Sequence, residues 1–226
     1  METFGDPKEV NRSLIERVKR IRIKEVVDED FLRLIVVQSV DSTFSVLDCG
    51  QSLRNYSNSV KEKSALVETL DINEFGDYPD FLVDVCDERG MSTLTNKYDL
   101  IAAFSLIEHC HDPFKASSNL FAALKKGGQI IGSAPFLFPR HGPADLSYQD
   151  FWRFSRDSYA ILFPDASDIT LYPLRGRIGT ALNVLTLRYR FSFETRFHEL
   201  SSRINRWHSR NGHELQASGY GFIVTK

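Results

Sequence analysis

The segment Phe44 to Gly50 (FSVLDCG) reads as a buried strand that stops at a turn: Phe44, Val46 and Leu47 are bulky apolar residues, and Asp48, Cys49 and Gly50 follow at once. A strand of this kind belongs in an open α/β sheet. There, ligands bind outside the carboxyl ends of the strands, and a glycine lets the backbone come close to them before the next helix begins. A second strand, Ala65 to Leu70 (ALVETL), ends in Asp71. It lies about twenty residues further on, the spacing at which an acidic side chain reaches ribose hydroxyls.

The rest of the chain continues the alternation. Phe81–Val85 (FLVDV), Tyr98–Phe104 (YDLIAAF) and Gln129–Ala134 (QIIGSA) read as a third, fourth and fifth strand. Between the last two, Pro113 at a first-turn position and Gly127-Gly128 beyond the end bracket a helix over Asp112–Lys126, with Phe114, Leu120, Phe121 and Leu124 as its buried stripe. Strands separated by helices imply a mostly parallel sheet. Upstream, Val10, Leu14, Ile15 and Val18 recur at helical spacing over Pro7–Arg20. Asp28–Val40 reads as a second helix, acidic at its positive end, with Phe31, Leu32, Leu34, Ile35 and Val36 facing the core. These two helices, an extension over residues 1–42 ahead of a main domain over 43–226, either pack on the sheet edge or cover the ligand pocket.

Length and charge bound the class. With 226 residues, 42% hydrophobic and 26% charged, the chain suits one α/β domain with appendages. Residues 65–112 hold eleven Asp/Glu against two Lys/Arg, whereas 174–213 hold eight Arg, no Lys and two Glu. That basic segment is either a surface for an anionic substrate or nucleic acid, or a solvated helix face. Cys49, Cys86 and Cys110 lack CxxC spacing, which points to a reducing, cytoplasmic setting. No apolar run approaches the roughly 18 residues of a membrane span.

From about Val46 to Phe163 the sequence resembles a class I S-adenosylmethionine-dependent methyltransferase, close to the type 11 methyltransferase domain. The run YDLIAAFSLIEHCHDPFKASSNLFAALKKGGQIIGSAPF is similar to that family's fourth strand, the Leu-Glu-His segment after it, a helix and the Gly-Gly entry to strand five. The resemblance implies a Rossmann-like fold: a mostly parallel seven-stranded sheet with helices on both faces and the final strand antiparallel, Asp168–Tyr172 and Gly219–Thr225 being its last pair. It implies S-adenosyl-L-methionine as cofactor. Asp48 and Gly50 would hold its methionyl part, Asp71 its ribose, Asp84 with Val85 its adenine, and Ser105 and Leu106 would lie beneath the sulfonium. One departure stands out. Ser52 and Arg54 occupy positions where the family carries glycines, so Ser52 would have to admit the cofactor by being small.

His109, His111, His141 and Asp150 are the candidates for proton removal, and His141, Tyr148, Trp152 and Arg153 for contact with the acceptor. Pro135, Phe136, Pro139 and His141, followed by Asp150, Arg153, Phe154 and Ser155, are similar to a subgroup acting on glycans or secondary metabolites, which implies a hydroxyl acceptor and O-methylation. Other readings stand beside these. His109 suits a structural hydrogen bond as well as a base, and Asp150 and Arg153, three apart, suit a surface or capping pair. Glu108-His109-Cys110-His111 packs three ligand types together, but adjacent residues seldom point at one ion and no partner pair is visible, so no metal is expected. A helical, arginine-rich insertion over about 178–212, with Phe191, Phe193, Phe197 and Trp207, would cap the pocket or make a homodimer contact. The leading expectation is a methyltransferase for a small-molecule or glycan-type acceptor. The alternatives are a scaffold protein that has lost the cofactor and, on the arginine-rich tail alone, a nucleic-acid methyltransferase.

Overall fold

The computed structural model describes residues 7–142, 146–184 and 217–226. The chain begins with α1 (Pro7–Arg20), the short strand β1 (Arg22–Ile23) and α2 (Glu29–Ser39). Asp28 caps α2, accepting from the Phe31 amide at 2.9 Å. Then come β2 (Ser45–Cys49), α3 (Ser57–Lys61), β3 (Leu66–Asp71), β4 (Phe81–Leu82), α4 (Glu88–Ser92) and β5 (Tyr98–Phe104). A 3-10 turn (Ile107–His109), α5 (Pro113–Ala123), β6 (Leu124–Pro135), a second 3-10 turn (Arg156–Ser158), α6 (Tyr159–Leu162), β7 (Asp168–Leu174), α7 (Arg177–Val184) and β8 (Gly219–Thr225) complete the described elements.

The strands form one sheet in the order β1-β7-β8-β6-β5-β2-β3-β4. Among the described strands β8 alone runs against the others, pairing antiparallel with both β6 and β7. The sheet therefore has eight strands where seven were expected. The addition is β1, which pairs parallel with β7 through Arg22 and Ile23. The segment before residue 43 is thus woven into the sheet and its core.

Both faces of the sheet are covered, which is why its strands read as unbroken apolar runs. Successive residues point to opposite faces. Val46, Leu100, Ala102 and Ile131 meet Leu32 and Val36 of α2 and Val60 of α3, whereas Leu47, Ile101 and Ile130 belong to the cluster that holds Met91, Leu120 and Tyr159 of α4, α5 and α6. Leu14 and Val18 of α1 lie against that second cluster. The seat of α2 is Gly221: a Cβ there would stand 1.9 Å from Leu32 Cδ1.

Several expected core positions differ. On α2 only Leu32 and Val36, four residues apart, are fully buried, and Phe31 is 42% exposed because a helix on a sheet presents one narrow face. Leu34 is also exposed. On α5 the buried face is Pro113, Ala116, Ser117, Leu120 and Ala123, so Phe114 lies one step off it and is 51% exposed. That helix stops at Ala123 rather than Lys126, since Leu124 already pairs with Tyr98. The third expected strand contracts to Phe81–Leu82. Of the arginine-rich insertion, the part past Val184, with Phe191, Phe193, Phe197 and Trp207, lies outside the described residues. No helix among the described residues is long and apolar enough to cross a membrane.

Candidate functional site

The carboxyl ends of β2, β3, β4 and β5 surround a cavity of about 740 Å³. Its floor begins where β2 ends. The chain turns at Gly50 and Gln51, both left-handed at φ 64° and 54°. Gly50 permits this at no steric cost, and a Cβ there would meet Leu106 Cδ1 at 3.2 Å. Gln51 is held by its own amide, which donates to the Tyr78 hydroxyl at 3.0 Å; that hydroxyl in turn donates to Asp71 Oδ2 at 3.3 Å. Desolvation, opposed by the Gln51 amide, keeps the Tyr78 phenol well above its ordinary pKa, so it stays protonated as a donor.

Asp71 ends β3 beside this turn. Its Oδ1 accepts from the Asn73 amide at 2.9 Å, and among the described residues the one hydrogen bond to Oδ2 is the long one from Tyr78. The carboxylate therefore keeps acceptor capacity toward the cavity. Asp84, after β4, accepts from the Cys86 amide at 2.8 Å and stands 3.6 Å from His111 Nδ1. Ser105, after β5, is left-handed at φ 49° and donates its amide to the Ser133 carbonyl at 3.0 Å. The Ser133 hydroxyl donates to Glu29, so the first turn of α2 closes over the ends of β5 and β6.

Of the residues singled out in the sequence, the cavity wall contains Gly50, Asp71, Asp84, Val85, Ser105, Leu106, His109, Cys110, His111 and Tyr148. Asp48 and Ser52 lie behind it. Asp48 accepts from the Leu53 amide at 3.1 Å, and burial pushes its carboxyl up to about 6 against the pull of the Leu53 and Ser52 amides. The Ser52 hydroxyl donates to the Cys49 carbonyl at 2.6 Å and accepts from the Phe104 amide at 2.7 Å. Serine at this position joins the β2 turn to the end of β5. Arg54 is exposed and borders the cavity. Ile72, Asn73, Phe75 and Phe151 also form the wall. The available cue for Ile72 and Asn73 was their place directly after Asp71, in a strand-end loop.

His141, Asp150, Trp152 and Arg153 lie off the wall and fix one another. Arg153 grips Asp150 with both terminal nitrogens, at 2.7 Å for Nη2 to Oδ2, and donates to the Phe138 and Pro139 carbonyls at 3.1 Å each. Asp150 also accepts from the His141 amide at 2.9 Å. Arg153 chiefly, against some desolvation, holds the Asp150 carboxyl down to about 2, which makes it a weak base. Trp152 donates Nε1 to the Cys110 carbonyl at 2.9 Å.

This clamp brings His141 to the 3-10 turn after β5. The Glu108 side chain is wholly buried, and its two oxygens have no hydrogen-bond partner. Its Oε1 lies 3.8 Å from His109 Nε2 and 3.7 Å from His141 Nε2. Both distances exceed hydrogen-bond length. The facing Glu108 carboxylate, with Asp150 nearby and burial opposing, raises the His141 pKa. The His109 ring lies edge-on to His141, centroids 5.1 Å apart, and 4.7 Å from Tyr148.

This sheet and its cavity give the chain the fold of class I S-adenosylmethionine-dependent methyltransferases. A SAM-dependent methyltransferase from Archaeoglobus fulgidus matches over 87% of this chain and 94% of its own, at 16% identity and TM-score 0.53. Phosphoethanolamine N-methyltransferase 2 of Haemonchus contortus, in complex with S-adenosyl-L-methionine, matches at 14% identity and TM-score 0.52; this chain spans 52% of it and 86% of itself is covered. The [4+2]-cyclase SpnF matches at 11% identity and TM-score 0.50, over 96% of this chain and 92% of its own. No protein-family model matches the sequence, and no curated protein does.

Proposed function

We propose that the cavity binds S-adenosyl-L-methionine and that the protein transfers its methyl group to a hydroxyl of a small or carbohydrate-like molecule. The observation that carries this reading is the Asp71 carboxylate, which ends β3 beside the left-handed Gly50 turn and has spare acceptor capacity facing the cavity. When bound, the cofactor supplies a methyl group already activated on a sulfonium, so the protein's task is placement. Asp71 accepts from the ribose hydroxyls. Asp84 and the Val85 backbone, with Ile72 beside them on the wall, would hold the adenine. Gly50 would let the turn approach the methionyl part, and Ser105 and Leu106 would lie beneath the reacting carbon.

Tyr148 and Phe151 form the wall the acceptor would meet. A hydroxyl acceptor must lose its proton, and His109 is the group on the wall placed to take it. Its Nδ1–H donates to the Gln149 carbonyl at 2.8 Å, which leaves Nε2 with its lone pair. A second reading, a scaffold without the cofactor, is favoured by one observation, the exposed Arg54 bordering the cavity where the family has glycine. The fold alone does not fix methyl transfer as the activity, since a protein named as a [4+2]-cyclase shares it.

Calorimetric titration with S-adenosylhomocysteine tests the proposal. The native protein should bind one equivalent, and Asp71→Ala should weaken binding at least about tenfold by removing a charged acceptor. A folded native protein that binds neither S-adenosylhomocysteine nor S-adenosylmethionine refutes it and leaves the scaffold.

A further inference from the structure

We infer that Glu108, His109 and His141 form a site for one divalent transition-metal ion of zinc type, set into the wall of the cavity. The starting point is an uncompensated group. A buried carboxylate with no hydrogen bond to either oxygen carries a desolvation cost of several kcal/mol unless a cation faces it. Glu108 is such a group, with a fully buried side chain, two unpartnered oxygens and two imidazole nitrogens directed at it.

The imidazoles are arranged as metal ligands are. The Nδ1–H of His109 donates to the Gln149 carbonyl at 2.8 Å, and His141 Nδ1 faces the Pro139 carbonyl at 3.3 Å and Asp150 Oδ2 at 3.4 Å. A carbonyl or carboxylate only accepts, so Nδ1 carries a proton in each ring, and in the neutral, metal-binding form each Nε2 presents a lone pair. Both lone pairs lie on the Glu108 side. A tetrahedral ion with ligand bonds of about 2.1 Å needs ligand atoms about 3.4 Å apart. The two imidazole-to-carboxylate separations, 3.7 and 3.8 Å, are within a few tenths of that, and all three ligand atoms lie within 4.8 Å of one another. Two histidines and a carboxylate suit zinc or another late divalent metal rather than magnesium.

Three protein ligands leave one position of a four-coordinate ion open. His109 is part of the cavity wall, so that position is reachable from the cavity. With the ion bound, His109 Nε2 is a ligand and no longer the base; an oxygen donor at the open position, a hydroxyl of the acceptor, would give up its proton to solvent at a lower pH than a free alcohol. This use of the ion rests on the methyl-transfer reading; the site itself does not. The other cluster of ligand-type side chains, Asp84, Cys86 and His111, is different: Asp84 accepts from the Cys86 amide, Cys86 donates to the Asp112 carbonyl, and His111 is largely exposed.

The test is titration of the chelator-treated full chain with Zn²⁺ by calorimetry and with Co²⁺ by visible absorption, each beside S-adenosylhomocysteine. The native protein should take up one Zn²⁺ with a micromolar or tighter dissociation constant and should develop cobalt d–d bands. His141→Ala should bind at least about 100-fold more weakly while still binding S-adenosylhomocysteine, and His111→Ala should bind Zn²⁺ as the native chain does. His141→Gln serves if the alanine variant does not fold. No stoichiometric uptake by the native protein, or undiminished binding by the folded His141 variant, overturns the site. Zn²⁺ uptake without S-adenosylhomocysteine binding would instead overturn the cofactor reading and leave the metal site standing.

Discussion

At the scale of single residues, Asp48 shows how a residue that resembles a ligand contact becomes part of the foundation. Burial raises its pKa from an ordinary 3.8 to about 6, so the folded state holds a proton that the unfolded chain releases at lower pH. Its contribution to stability is complete below 3.8 and is lost as pH rises through 6. Asp48→Asn keeps an oxygen for the Leu53 amide and has no charge to bury. Relative to this variant, the native protein should lose about 2 kcal/mol between pH 4 and pH 7, read by denaturant unfolding across that range. Equal pH dependence of the two would mean that the carboxylate is better solvated than its surroundings indicate. Asp71 is the contrasting acid. Its place at the cavity was visible in the sequence because it depends on position alone, the last residue of a strand.

At the scale of elements, the loop after β6 is the part that local pattern did not convey. Asp150 and Arg153, at a spacing of three, suited an exposed pair, a capping pair or a binding surface. In the fold they form a clamp, with Asp150 buried and Arg153 tied to the Phe138 and Pro139 carbonyls. Arg153→Ala leaves a buried carboxylate uncompensated and frees the segment that carries His141. Its expected cost is on the order of 3 kcal/mol in thermal or denaturant unfolding. Arg153→Lys should recover only part of this, because one ammonium does not replace a two-pronged guanidinium. Full recovery by lysine would show that charge, not the fork, holds the loop. The helices tell a similar story: α1 and α2 were legible from apolar spacing, but the narrow buried face of α2 was set by its seat on Gly221, a contact across the chain.

At the scale of the whole molecule, the order of the sheet gathers four strand ends around one cavity. Alternating apolar runs revealed β2, β3, β5 and β6, and the acid after β3 was readable from its distance behind the Gly50 turn. What the sequence did not reveal is what the topology alone creates. The edge strand β1 pairs with β7, 148 residues away, and His141 returns to face Glu108 only because the clamp folds its loop back. Serine in place of a glycine likewise looked like a defect, and proves to be a link between two strand ends.

The most direct measurement is a crystal structure of the protein grown with S-adenosylhomocysteine. The account predicts the ligand in the 740 Å³ cavity, with both ribose hydroxyls on Asp71 and its sulfur beside Ser105 and Leu106. Ligand bound elsewhere, or a cavity left empty at saturating ligand with Tyr78 still on Asp71, would contradict it.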